Sequence, residues 1–354
     1  MAVSAASVLC LAAVALVLVR ASWQRRAAAR LRISAAEGIY VLEKVRLGGI
    51  EQWVLIRGQD VRKPVLLFLH GGPGFPAMPF SHTNAELERD FVVVNWDQRA
   101  AGKSYTWSIP DDSMRVAQFV SDAHELVQWL QTRLGVRKVY LVAHSWGSLF
   151  GAQLVAQHPE LFFAYVGIGQ AADLRETEQV RYQYALEAAH RESNQKASAD
   201  LGRIGRPPHS AEDHEFMEKW VHYYSEREHS SVSRGRMVRL ALSSPEYSWI
   251  DLIKIPLGAH YSLQRLWKEI FYETNLSREA PRLEVPVYFF LGRHDRVVTW
   301  EVAQRYFDSL DAPRGKQLIW FEDSGHWPQF EESQKYRNTL VQRVLAETAG
   351  RDTR

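Results

Sequence analysis

The chain has 354 residues, 46% of them hydrophobic and 24% charged, which is enough apolar material for a large globular core. Its net charge of +2 hides an asymmetry. Arg20, Arg25, Arg26, Arg30 and Arg32 all precede the first acid, Glu37, and without them 38 basic residues face 41 acidic ones, which argues against a nucleic-acid partner. Cys10 is the single cysteine, so an intramolecular disulfide and a cysteine-based metal site are excluded.

Taken in chain order, the first feature is Ala2–Val19, an uncharged run that ends at the arginines. It is about the minimum length for a membrane span. A cleaved signal would carry its basic residues before the apolar run and a small-x-small site after it. Here the order is reversed, and Arg20-Ala21-Ser22-Trp23 is a poor cleavage site. Residues 1–35 are therefore read as a single-pass anchor with a basic juxtamembrane segment. The positive-inside rule puts the body on the cytoplasmic side. An exported form and a non-spanning amphipathic tail are the alternatives.

Apolar, β-branched runs follow at Tyr40–Leu47, Trp53–Ile56, Val65–Leu69, Phe91–Asn95, Val139–Ala143, Tyr165–Ile168, Val287–Leu291 and Leu318–Phe321. Gly48-Gly49 between the first two predicts a hairpin. The middle runs are nearly continuous, as expected for parallel strands covered on both faces. Helical stripes lie between them, at Val116–Leu130 and Val302–Leu310. This alternation predicts a doubly wound, mostly parallel α/β sheet with ligands at the carboxyl ends of its strands. It divides the body into 36–170 and 283–354. The intervening 171–282 carries helix formers at Glu178–His190, Glu215–Tyr224 and Leu263–Tyr272 and no clear strand, so it is read as an inserted helical cap. His209, His214, His222 and His229 within it have no metal-ligand spacing, and neither metal nor cofactor is expected.

Three residues carry the chemistry. The run Val139–Ala143 leads to His144-Ser145-Trp146-Gly147, a serine flanked by small residues two positions away on either side. A strand turning this sharply into a helix strains the serine backbone and lifts its oxygen above the sheet edge. A serine nucleophile needs a base, and the base an orienting acid, in the chain order serine, acid, histidine for this architecture. Asp295 stands just beyond the run Val287–Leu291, and His326 follows Leu318–Phe321. Asp323 and His294 are their less favoured neighbours. Two backbone donors should face the developing oxyanion: Trp146, directly after the serine, and Gly72 from His70-Gly71-Gly72-Pro73-Gly74, with Gly71 second.

The segments His70–Gly74, Asp97-Gln98-Arg99-Ala100-Ala101-Gly102-Lys103-Ser104 and His144–Ser148 resemble the signature of proline iminopeptidases, the S33 serine peptidases of the α/β-hydrolase superfamily. The resemblance runs from about Gly38 to Glu347. It implies an α/β-hydrolase fold, Ser145 as nucleophile, Asp295 as acid, His326 as base, and a supporting role for Asp97–Ser104. The chain departs from the family where Ala143 and Ala100 replace glycines and where Arg296 stands for a glutamate that helps to hold the substrate's α-ammonium. The expected substrate is a small molecule or short peptide, cleaved at an amide or, alternatively, at an apolar acyl ester. A non-catalytic binding protein on the same fold is the remote alternative.

Overall fold

The computed structural model describes residues 5–229 and 232–348. Ala2–Ser4 of the apolar leader and residues 349–354 of the second core segment lie outside them. Eight strands form one sheet in the order β1-β2-β4-β3-β5-β6-β7-β8. They are β1 (Ile39–Leu47), β2 (Ile50–Gly58), β3 (Val65–Leu69), β4 (Val92–Asp97), β5 (Val139–His144), β6 (Phe162–Ile168), β7 (Val287–Gly292) and β8 (Lys316–Phe321). The predicted Gly48-Gly49 hairpin joins β1 to β2 with Leu47 opposite Ile50, and β2 also runs antiparallel to β4. Every other pairing is parallel.

The continuous apolar runs have the expected cause. In β3, Val65, Leu67 and Leu69 face one hydrophobic cluster while Leu66 and Phe68 face another. Each fully buried side chain of this kind contributes roughly 1.5–3 kcal/mol. Helices α2 (Val116–Leu134) and α3 (Trp146–Gln157) pack on the first face. The second face is covered largely by Tyr336, Leu340 and Val344 from the C-terminal helical segments.

Between β6 and β7 the described residues are helical or irregular. Here lie α4 (Leu174–Arg191), α5 (Gln195–Ile204), α6 (Ala211–Glu228), α7 (Arg234–Ser243) and α8 (Trp249–Lys268). Helices α4, α5 and α6 share a core of their own that includes Tyr182, Leu201, Trp220 and Tyr224.

The leader forms one helix, α1 (Ala5–Arg30), which continues through the arginines. Its Ser7–Arg30 portion is long and apolar enough to cross a membrane. The large apolar side chains from Val8 to Val19 keep 44–71% of their surface exposed. From Arg20 onward the same helix belongs to the body. Arg20 Nη2 donates to the Tyr247 carbonyl at 2.6 Å, and its guanidinium lies 4.3 Å from the Trp249 ring centre. Gln24 donates to the carbonyls of Ser244 and Tyr247, and the Leu31 carbonyl accepts from Arg57. Periodicity places the apolar run but does not reveal these long-range contacts.

Candidate active site

Strand β5 ends at His144, and α3 begins at Trp146. Between them Ser145 adopts φ 54°, ψ −122°, a conformation an L-residue reaches only under strain. The turn is fixed from both sides. Ser145 donates its amide to the Ile168 carbonyl at the end of β6, at 2.9 Å. Its own carbonyl accepts from the Ser148 hydroxyl at 2.6 Å. A Cβ on Gly147 would lie 2.5 Å from the Leu69 carbonyl oxygen, so the pattern requires glycine there. Ala143, which replaces the other small residue, is fully buried without such a conflict.

Asp295 follows β7 and His326 follows β8. His326 Nδ1–H donates to Asp295 Oδ2 at 2.8 Å. The other carboxylate oxygen accepts the amides of Val297 at 2.8 Å and Val298 at 3.2 Å. Burial pushes the Asp295 carboxyl up, but the His326 ring and the two amides outweigh it and leave the group below the usual carboxylate range. An ionised Asp295 keeps the proton on Nδ1, so Nε2 is the basic nitrogen. Gly169, directly after β6, lets this pair approach: a Cβ there would meet His326 Nδ1 at 3.0 Å and Asp295 Oδ2 at 3.2 Å. The pair thus lies one residue from Ile168, the backbone partner of Ser145.

His144 ties the strand that ends before Ser145 to the loop that carries His326. Its Nε2–H donates to the His326 carbonyl at 2.9 Å, with ring centres 4.7 Å apart. Among the described residues the Ser145 hydroxyl has no hydrogen bond to the His326 ring, a looseness common in unliganded hydrolases. Glu331 holds the same loop by accepting the Gly325 amide at 2.6 Å. Of the two decoys, Asp323 is exposed, while the His294 ring stacks on His229 at 4.4 Å.

The glycine-rich loop after β3 lies against the serine, since a Cβ on Gly71 would come within 3.1 Å of Ser145 Cβ. The Gly72 amide has no backbone acceptor among the described residues. The Trp146 amide, first in α3, has no intrahelical acceptor. Both can therefore turn toward a negative oxygen. Gln98 sets their spacing. It accepts from Trp146 Nε1 at 3.0 Å, donates its side-chain amide to the His70 carbonyl at 3.0 Å, and donates its backbone amide to His70 Nε2 at 3.2 Å. His70 Nδ1–H in turn meets the Gly71 carbonyl at 2.8 Å. Burial pushes His70 down to about 4, which keeps the ring neutral and able to accept from Gln98. The rest of Asp97–Ser104 is structural. Arg99 makes a fully buried two-point pair with Asp122, and Asp97 accepts the Lys103 amide and the Tyr247 hydroxyl.

A cavity of about 590 Å³ reaches His326. Its apolar walls include Phe75, Met237, Val238, Leu242 and Ile255. Ser145 is not among the walls and is 6% exposed. Arg296 also lines the cavity and is paired with Glu301 at 3.2 Å, so its charge is partly answered. Within residues 171–282, Glu187 and Glu215 are exposed, whereas Glu178 is fully buried between His209 and His214. Sequence reasoning passes over Gln98 and His144 as individual residues. Their only signal is membership of the motifs around Asp97 and Ser145. Among the described residues no cluster of His, Cys, Asp and Glu could hold a metal ion.

A family model described as alpha/beta hydrolase fold matches residues 64–333. The "Probable aminopeptidase YbaC" of Bacillus subtilis is 32% identical over 87% of this chain and 97% of its own length. A proline iminopeptidase of Clostridium botulinum is 30% identical over 79% of this chain and 88% of its own. Among solved structures, the proline iminopeptidase of Mycobacterium smegmatis superposes with a TM-score of 0.63 at 19% identity, covering 88% of this chain and all of that one.

Proposed function

Because the chain belongs to the α/β-hydrolase family and is a hydrolase of the proline iminopeptidase type, we propose that it is a serine hydrolase working through an acyl-enzyme on Ser145. The supporting observation is the 2.8 Å contact between His326 Nδ1 and Asp295 Oδ2, set at the strand ends beside the strained Ser145. In this reading Ser145 Oγ attacks the substrate carbonyl while His326 Nε2 takes its proton. The amides of Gly72 and Trp146 stabilise the oxyanion. His326 then protonates the leaving group, and the same base activates water to release the acid product. Asp295 orients the imidazole throughout and stabilises its charged form.

The preferred substrate is a short peptide or aminoacyl amide, supported by the aminopeptidase names of the relatives that match most of the chain. Glu226, which lines the cavity beside His222, is the carboxylate best situated there to meet an α-ammonium group. A second reading, a carboxylesterase for apolar acyl groups, is favoured by the apolar walls around Met237, Val238 and Ile255. Prolyl p-nitroanilide and p-nitrophenyl acyl esters tested side by side separate the two. Turnover of the anilide, abolished in Ser145→Ala, supports the peptidase; esterase activity with no anilide or aminoacyl arylamide turnover favours the second reading.

Helix α1 is read as a single-pass anchor, with the arginines after Val19 placing the body on the cytoplasmic side.

A further inference from the structure

Many arginines of the body have a carboxylate partner, as Arg57 has Glu88, Arg99 has Asp122 and Arg305 has Glu176. Four that sit together do not. Arg26 and Arg30 on α1 and Arg236 and Arg239 on α7 line a cleft of about 490 Å³ with Trp23 and His82. No carboxylate is among its walls, and among the described residues none of the four has an acidic partner. The Arg239 guanidinium lies 5.6 Å from the Trp23 ring centre, which fixes one donor fork at the rim. Four guanidiniums facing one space repel each other until an anion enters. Their planar donor forks suit phosphate oxygens in particular.

The position of the cleft says where that phosphate comes from. One wall is the continuation of the helix whose apolar side chains up to Val19 are exposed. Arg26 follows Val19 by seven residues, a rise of about 10 Å along the axis. With α1 across a bilayer, that puts the Arg26 backbone just outside the headgroup layer, which is roughly 5–8 Å deep beyond a hydrocarbon core about 30 Å thick, with its long side chain able to reach back to the phosphates. We propose that the cleft between α1 and α7 binds the phosphate of an anionic phospholipid headgroup. The site is separate from the hydrolase chemistry, and its assignment to a lipid rests on α1 being the anchor. It also bears on the catalytic cavity, because Met237, Val238 and Ala241 on the other side of α7 line that cavity.

The test uses the full chain in non-ionic detergent micelles doped with fluorescent phosphatidylglycerol or with phosphatidylcholine carrying the same chains, at about 0.15 M salt. Binding is read by energy transfer from the protein's tryptophans. Phosphatidylglycerol should bind at least tenfold more tightly than phosphatidylcholine. Arg236→Glu/Arg239→Glu should erase that preference, while Arg278→Glu/Arg314→Glu, an equal charge change elsewhere, should preserve it. If thermal melting shows the first variant to be misfolded, Arg236→Gln/Arg239→Gln replaces it with the same expectation. Absence of a phosphatidylglycerol preference, or its equal loss in both double variants, overturns the site. Glycerol phosphate binding as tightly as the lipid would keep an anion cleft and overturn its assignment to a membrane.

Discussion

His144 Nε2–H donates to the main-chain carbonyl of His326 at 2.9 Å, so the residue before the candidate nucleophile holds the loop that carries the candidate base. Burial first, and then the charge of the neighbouring His326, push His144 down to about 3, which keeps its ring neutral. His144 is thus a positioning residue. His144→Ala should reduce kcat by about 10- to 100-fold, a loss of roughly 1.4–2.7 kcal/mol in transition-state stabilisation, with KM nearly unchanged. His144→Gln, which can donate from its amide, should recover part of that loss. Equal kcat values for the alanine variant and wild type would show that the loop is held without this bond.

Gln98 connects Trp146 to the His70 loop and so sets the spacing of the two amides proposed for the oxyanion. Gln98→Ala should lower kcat by about 10²-fold, comparable with losing one oxyanion donor. A variant with unchanged kcat and raised KM would place Gln98 in ground-state binding instead.

Truncation should divide α1 into two functional parts. Removing residues 1–19 deletes, among the described residues, only side chains that the body does not bury, and the product should be soluble and melt like the full chain. Removing residues 1–32 also deletes Arg20, Gln24 and Leu31, leaving the carbonyls of Ser244 and Tyr247 and the guanidinium of Arg57 short of partners. Each lost partner costs about 1–3 kcal/mol when the group left behind is buried. Thermal melting should therefore fall by several degrees in the second truncation alone. Indistinguishable melting curves would mean that residues 20–31 contribute nothing to the body's stability.

Three buried groups with large shifts act on acid sensitivity in opposite senses. Burial pushes His70 to about 4 and His144 to about 3, below the ordinary histidine value. The unfolded chain then binds more protons than the native one between about pH 6.5 and 4, so their contribution to stability falls as pH drops through that window. Asp97, pushed up to about 7 by burial, acts in the opposite direction, because the native state holds its proton first. The three together give a slope near 1.4 kcal/mol per pH unit around pH 5. Asp97→Asn, which removes the opposing group, should make the acid side of the stability curve steeper in urea titrations at stepped pH. Parallel curves for the two proteins would mean that Asp97 is ionised across the window.

The fold was legible because its signals are local. All eight strands coincide with apolar, β-branched runs, and the observed ends extend those runs by no more than three residues. Ser145, Asp295 and His326 could be singled out as candidates because each lies one to five residues beyond the end of a strand, where chain order and strand position together restrict the choice. The helices of 171–282 were read only in part. The run Arg234–Ser243 begins with three basic residues in six and shows little apolar periodicity, so α7 was invisible until its packing against α1 was known. Gln98, His144 and the Arg20–Tyr247 contact depend on partners 48, 182 and 227 residues away, which no local pattern encodes.

The most direct test of the account is covalent labelling of the full chain with a fluorophosphonate, followed by peptide mapping. The predicted result is one adduct, on Ser145, formed orders of magnitude more slowly in His326→Ala and absent in Ser145→Ala. A folded wild-type protein that forms no adduct, or forms it on another residue, would contradict the assignment of Ser145 as an activated nucleophile.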